Sequence, residues 1–131
     1  MDKTRQKIES FIKALKTFDA ILLENDDSNI IRDAAIQRFE YTFEAMWKAS
    51  KAYLLTYEGV TSTYPKNCIR NMMQNNILSP NDTELSLEMV DSRNLTSHTY
   101  IEEIAIGIYT KLKTYNTLMN KVMNELDKLT N

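Results

Sequence analysis

The stretch at positions 91–100, DSRNLTSHTY, holds the side chains of this sequence that are best suited to acid–base or phosphate chemistry. It contains the one histidine, His98, with Arg93 five residues before it and Tyr100 two residues after it. An imidazole with an intrinsic pKa of about 6.5 exchanges a proton near neutral pH, and a guanidinium can donate two parallel hydrogen bonds to a phosphate. These are the groups that RNA cleavage by the neighbouring 2′-hydroxyl requires.

Arg93 and His98 can share a target only if the chain turns between them, because residues five apart on an unbroken helix point about 140° away from each other. The residues in between that leave helices readily are Asn94, Thr96 and Ser97. They are also candidates to position the hydroxyl or to donate hydrogen bonds to the developing charge. We therefore expect a turn here.

The run Thr-Tyr-Ile-Glu at 99–102 matches a capping box and predicts Thr99 as the N-cap of the last helix. His98 is then expected just outside that helix, where free backbone N–H groups and the helix dipole favour an anion. The second interpretation is structural: a lone histidine beside a helix start is commonly a capping or solvated residue. Tyr100 would then be a first-turn packing residue.

No metal or other cofactor is expected from this region. The carboxylates close to the motif have no clear metal-ligand geometry. They are Asp91, Glu102 and Glu103.

Composition predicts one all-α domain covering residues 1–131, because two Gly and two Pro leave few tight turns. The single cysteine, Cys68, excludes an intramolecular disulfide and is expected to be a small buried residue in a reducing, cytoplasmic compartment. No export signal or membrane span is recognisable. A net charge of -2 neither favours nor excludes RNA, so RNA binding would need a local basic patch or a dimer groove.

Helical periodicity predicts an up-and-down antiparallel four-helix bundle with one extra short helix. Predicted helices span about 2–24, 30–58, 65–76, 80–92 and 99–129, and a polar break covers 24–29. The second helix is about 43 Å long, so it either kinks or projects toward a partner. The last helix carries an uninterrupted seam with steps of four and three residues, from Ile101 to Leu129.

Three charged residues of the second helix have two interpretations. Glu40, Glu44 and Lys48 either line a cleft or lie on a solvated helix face, where Glu44 and Lys48 form an i, i+4 pair. The apolar and aromatic residues of this helix, from Ala35 to Tyr57, are expected to be core rather than a cofactor site. The stripe that these residues form ends with Tyr57.

The run RFEYTFEAMWK at 38–48, together with the stretch 91–100, resembles the nucleotidyltransferase substrate-binding family of the HEPN superfamily. The likeness covers most of the chain. It implies a four-helix bundle that dimerises and works with a small nucleotidyltransferase. Catalytic HEPN members are metal-independent endoribonucleases, and by resemblance Arg93, Asn94 and His98 would be the catalytic residues. Ser97 would line the cleft, and Tyr100 would receive AMP from the partner.

Three hypotheses remain open at this point. The first is a HEPN-type ribonuclease toxin that acts on RNA as a homodimer and is silenced by its nucleotidyltransferase. The second is a non-catalytic substrate-binding subunit of a two-component nucleotidyltransferase. The third is a helical interaction protein in which the motif only caps a helix.

Overall fold

The computed structural model describes residues 3–24, 26 and 28–131. The α-helices in this part of the chain are α1 Lys3–Ile21, α2 Asn29–Glu58, α3 Pro65–Gln74, α4 Pro80–Leu95, α5 Glu102–Tyr109 and α6 Leu112–Thr130. A 3-10 turn, Thr96–His98, follows α4, and none of the described residues belongs to a strand. The predicted all-α class is confirmed. The predicted helical residue Asp2 and the loop residues Asn25 and Asp27 lie outside the described part.

Side-chain contacts show that α1 runs antiparallel to both α2 and α6. Thr4 at the start of α1 donates to the carbonyl of Ala52 near the end of α2, at 3.3 Å. Arg5 pairs with Asp127 near the end of α6, at 2.7 Å between Nη1 and Oδ1. The helices α2 and α6 therefore run in the same direction.

The helix α4 completes the bundle by packing antiparallel to α6. Glu88 of α4 pairs with Lys111 just before α6 at 3.0 Å, and Asp82 at the start of α4 pairs with Lys121 at 3.5 Å. The helices α1, α2, α4 and α6 thus form an up-and-down four-helix bundle, with α3 as the extra short helix between α2 and α4. This architecture agrees with the prediction.

An aromatic cluster lies at the centre of the core. Phe39 of α2 is 6.1 Å from Phe18 of α1 and 5.4 Å from Tyr115 of α6, measured between ring centroids. All three rings are fully buried, as the helical periodicity predicts. The prediction was wrong for Tyr57, which lies in the last turn of α2 and is 46% exposed.

Local signals set several helix ends as predicted. The Ser79 hydroxyl accepts a hydrogen bond from the Asp82 N–H at 3.1 Å, and Pro80 occupies the first position of α4. Gly59 ends α2 with a φ of 68°, a left-handed conformation that glycine adopts without a Cβ clash. Pro65 is the first residue of α3.

The last predicted helix is divided into α5 and α6, which corrects the prediction of one uninterrupted helix. The Lys111 N–H donates to the Ile108 carbonyl only three residues back at 3.0 Å, and the Thr110 hydroxyl donates to the Gly107 carbonyl at 2.8 Å. These short-range bonds interrupt the α-helical hydrogen bonding. Buried seam residues on both sides of the break are Ala105, Ile108, Leu112, Tyr115, Met119, Val122 and Leu126.

Candidate functional site

Arg93 lies in the last turn of α4 and forms an ion pair with Glu44 of α2. The Nη2 and Oε1 atoms are 3.0 Å apart, and the two side chains are 31% and 34% exposed. The other carboxylate oxygen of Glu44 accepts a hydrogen bond from Trp47 Nε1 at 3.3 Å. The guanidinium is therefore oriented by a carboxylate that is itself held in place.

Two predictions about Arg93 and its surroundings were wrong. Glu44 pairs with Arg93 rather than with Lys48, so the predicted i, i+4 pair on a solvated face was wrong. The helix that carries Arg93 continues to Leu95 instead of ending near Ser92, so both Arg93 and Asn94 are helical. The Asn94 side chain is exposed.

Three hydroxyl groups end α4 and shape the turn that follows it. Thr96 Oγ1 donates to the carbonyl of Arg93 at 2.7 Å, Ser97 Oγ to that of Asn94 at 3.3 Å, and Thr99 Oγ1 to that of Thr96 at 3.3 Å. Side-chain hydroxyls that bond to carbonyls three residues back compete with continuation of the helix. The predicted turn between Arg93 and His98 is thus present as Thr96–His98.

Thr99 is not the N-cap of the last helix, which corrects the predicted capping box. The helix α5 begins at Glu102, and its N-cap is Ile101, which makes no side-chain capping bond. The first turn of α5 contains Glu102 and Glu103, and Glu102 pairs with Arg32 of α2 at 3.2 Å. The positive end of this helix is therefore already faced by carboxylates, so the expected anion position beside His98 is not supported by a helix start.

His98 and Tyr100 lie together on the surface after the turn. The Tyr100 hydroxyl is 3.5 Å from His98 Nδ1, at the outer limit of a hydrogen bond, and the ring centroids are 6.0 Å apart in an edge-on arrangement. Tyr100 is 80% exposed, and His98 is also exposed. Both groups are accessible to a second molecule.

Within the described residues, the Arg93 guanidinium and the His98 imidazole share no hydrogen bond. The structure instead brings together Arg93 with Glu44 and His98 with Tyr100, at the two ends of one turn. Arg93 Nε is buried and has no hydrogen-bond partner in the described part of the chain. A buried N–H of a guanidinium without an acceptor is a costly arrangement.

Two of the other predicted cleft residues, Glu40 and Lys48, lie in separate depressions. Glu40 lines a shallow cavity of about 460 Å³ together with Thr96 and Thr99 of the turn. Lys48 lines a different groove, between α1 and α2. Ser97 is exposed and uses its hydroxyl to end α4.

A buried polar contact behind the motif was missed by sequence reasoning. The hydroxyls of Ser92 and Tyr115 are 2.7 Å apart, and Tyr115 also donates to Glu88 at 3.4 Å. Burial raises the pKa of Tyr115, and the hydrogen bond from Lys111 to Glu88 raises the pKa of Lys111. This network fixes α4 against α6 one residue before Arg93, and spacing within one helix gives no signal for it.

Across residues 3–24, 26 and 28–131, no group of three or more His, Cys, Asp or Glu side chains is arranged to hold a metal ion. None of the helices in the same ranges combines the length and apolar character needed to cross a membrane. Cys68 is buried, as predicted.

The described helices place the chain in the class of small antiparallel four-helix bundles. The chain matches, over residues 6–128, the model of the family described as nucleotidyltransferase substrate binding protein like. It belongs to this family, and the resemblance seen in the sequence is confirmed. No match was found among curated proteins.

Solved structures share the fold of this chain. A protein of Thermus thermophilus is 46% identical, with a TM-score of 0.85 over 88% of this chain and 98% of its own. A chain of the MntA–HpeT toxin–antitoxin structure shares the fold at 14% identity, with a TM-score of 0.77 over 98% and 99% of the two chains. HI0074 of Haemophilus influenzae, described as having the fold of a substrate binding domain of a nucleotidyltransferase, shares it at 18% identity, with a TM-score of 0.75 over 92% and 98%.

Proposed function

We propose that this chain is a HEPN-type toxin, an endoribonuclease that needs no metal ion and is neutralised by a cognate minimal nucleotidyltransferase. The observation that carries the proposal is the contact between Tyr100 and His98. The hydroxyl of a tyrosine that is 80% exposed lies 3.5 Å from the imidazole Nδ1. Any group attached to that hydroxyl lies against the ring that would move the proton.

In the proposed reaction, His98 of one chain takes the proton from a ribose 2′-hydroxyl. The 2′-oxygen attacks the adjacent phosphorus, and the bond from phosphorus to the 5′-oxygen breaks. The leaving oxygen takes a proton from the protonated His98 of a second chain, and the product carries a 2′,3′-cyclic phosphate. Arg93 and Asn94 donate hydrogen bonds to the phosphate oxygens, on which negative charge develops.

Neutralisation would be a second reaction at the same place. The partner would transfer AMP from ATP to the Tyr100 oxygen, which forms a phosphodiester bond and releases pyrophosphate. The high exposure of Tyr100 supports access for such a partner. The fold shared with a chain of the MntA–HpeT toxin–antitoxin structure is consistent with a toxin paired with an antitoxin.

The proposal includes a homodimer, because Arg93 and His98 of one chain have different partners. Arg93 pairs with Glu44, and His98 contacts Tyr100. Exposed apolar residues flank the motif, which favours an interface there. Leu95 is 43% exposed before the turn, and Ile101 and Ile106 are 41% and 47% exposed after it.

The second candidate is a non-catalytic subunit that presents substrate to the nucleotidyltransferase. The ion pair at 3.0 Å between Arg93 and Glu44 favours this candidate, because a guanidinium that is already paired is less available to a phosphate. The description of HI0074 as a nucleotidyltransferase substrate binding domain fits it equally well. On this second proposal, the stretch 91–100 is the surface that contacts the nucleotidyltransferase.

The experiment that separates the candidates is incubation of the purified protein with RNA in EDTA, beside His98→Ala. The toxin proposal expects cleavage by the wild type and a loss of about 100-fold or more in the variant, the usual contribution of a general acid–base group. No cleavage by the wild type, or equal cleavage by the variant, would refute it. A stable complex with a cognate nucleotidyltransferase, and no toxicity when this chain is expressed alone, would then favour the second candidate.

A further inference from the structure

Four lysines line one groove between the start of α1 and the second half of α2. They are Lys3, Lys7, Lys48 and Lys51. The groove has a volume of about 750 Å³, and its remaining lining residues are uncharged: Thr4, Ala52, Leu55 and Thr56. For a chain with a net charge of -2, this is a marked local concentration of positive charge.

The four ammonium groups are not neutralised by carboxylates of the described residues. The salt bridges in that part of the chain use other lysines, such as Lys66 and Lys111. Lys51 Nζ instead lies 5.5 Å from the centre of the Trp47 ring. Four like charges gathered around one depression repel each other, so a bound anion would stabilise the arrangement.

The groove continues the face of α2 that carries the Arg93 contact. Glu44, Lys48, Lys51 and Leu55 are spaced by four, three and four residues, which places them on one side of the helix. Glu44 and Lys51 are about 10 Å apart along the axis at 1.5 Å per residue. A chain-like anion in the groove would therefore lead toward Arg93.

We infer that this lysine groove binds the phosphate backbone of single-stranded RNA and guides it toward the Arg93 end of α2. The inference rests on the proposed RNA substrate. Lysine side chains contact the phosphates of a nucleic acid, whereas sequence is recognised by hydrogen bonds to the edges of the bases. We therefore expect the groove to bind RNA without sequence preference. Leu55, which is 55% exposed, supplies an apolar surface for the sugars and bases.

The test measures binding of a fluorescent ten-nucleotide single-stranded RNA by anisotropy, between 50 and 200 mM salt. All proteins carry His98→Ala, so the RNA stays intact and a failure of the proposed catalysis does not affect the result. If four phosphates are neutralised, the affinity falls about 50-fold across this fourfold change in salt, since the slope is about 0.7 per phosphate on single strands.

The informative variants are Lys3→Ala with Lys7→Ala, and Lys48→Ala with Lys51→Ala. Each pair removes two contacts, so the salt effect is expected to fall to about 7-fold and the affinity at 50 mM salt to decrease at least 10-fold. The matched control is Lys13→Ala with Lys16→Ala, which removes two exposed lysines of α1 outside the groove. Thermal denaturation verifies that each variant folds.

Unchanged RNA binding in both groove variants would overturn the inference, and so would an equal loss in the Lys13/Lys16 control. A mononucleotide that competes as well as the ten-nucleotide RNA would also overturn it, because the site would then be a nucleotide pocket. If the wild type cuts no RNA but the protein still binds RNA through these lysines, the result would support the groove and refute the toxin proposal.

Discussion

Tyr115→Phe tests the buried contact that ties α6 to the end of α4. The substitution keeps the ring, which stacks on Phe39 at 5.4 Å, and removes only the hydroxyl. That hydroxyl lies 2.7 Å from the Ser92 hydroxyl and 3.4 Å from Glu88. Ser92 is only 5% exposed, so its hydroxyl would lose its partner out of reach of bulk water.

The expected cost follows from the unpaired Ser92 hydroxyl. A buried polar group that loses its partner destabilises a protein by about 1–3 kcal/mol. The longer contact to Glu88 adds little, because that carboxylate keeps its 3.0 Å pair with Lys111. We therefore expect the free energy of unfolding to fall by about 1–2 kcal/mol, or Tm to fall by roughly 3–6 °C for a domain of this size.

The assay is a double-mutant cycle measured by urea unfolding, with Tyr115→Phe, Ser92→Ala and the combined variant. Removing both hydroxyls leaves neither unpaired, so the combined loss should be smaller than the sum of the single losses by about 0.5–1.5 kcal/mol. Tyr109→Phe is a matched control, since the Tyr109 hydroxyl makes no hydrogen bond within the described residues. Wild-type stability of Tyr115→Phe, or fully additive losses, would refute the reasoning.

Three further predictions concern single side chains. Tyr100→Phe should cleave RNA like the wild type, but its mass should not increase by one AMP after incubation with ATP and the partner nucleotidyltransferase. AMP attached elsewhere on the variant would count against Tyr100 as the acceptor. Glu44→Gln weakens the ion pair with Arg93, whose side chains are 31% and 34% exposed. It should lower the free energy of unfolding, measured in urea, by less than about 1 kcal/mol. A larger loss would show that the pair is a main structural contact. Burial raises the pKa of Cys68 from 9.0 to about 11, so the folded state keeps a proton that the unfolded state loses. Stability should therefore fall as the pH rises from 9 to 10, and Cys68→Ala should show a smaller fall; equal slopes would contradict the assignment.

The bundle could be predicted from the sequence because periodicity determines which face of a helix is buried. The seam residues Ala105, Leu112 and Leu126 are buried as predicted, although the helix that carries them is interrupted. The interruption depends on Thr110 and Lys111 bonding to carbonyls three residues back. A heptad pattern is insensitive to such a change, because the apolar residues continue on the same face.

The turn within the stretch 91–100 was predicted correctly, but the contacts of its side chains were not. The hydroxyl residues between Arg93 and His98 predicted a turn, and the turn is present as Thr96–His98. Thr99 satisfies the pattern of a capping box, yet its hydroxyl bonds back to Thr96 in the structure. A short-range pattern cannot distinguish a residue that starts one helix from a residue that ends the one before it.

Contacts between distant helices had no signal in the sequence. The pairing of Glu44 with Arg93 joins α2 to α4, and that of Arg32 with Glu102 joins α2 to α5. Spacing within α2 favoured Lys48 as the partner of Glu44, because both residues lie on the same helix. The tertiary packing of α4 against α2 places a guanidinium closer instead.

We propose that Arg93 and His98 promote cleavage of RNA by its own 2′-hydroxyl. The most direct measurement compares an RNA strand with the same sequence in 2′-deoxy form, in EDTA, and identifies the ends of the products. We expect cleavage of the RNA alone, with 2′,3′-cyclic phosphate ends that disappear in Arg93→Ala and His98→Ala and persist in Lys13→Ala. Cleavage of the deoxy strand, products with 5′-phosphate ends, or full activity without the imidazole would contradict it.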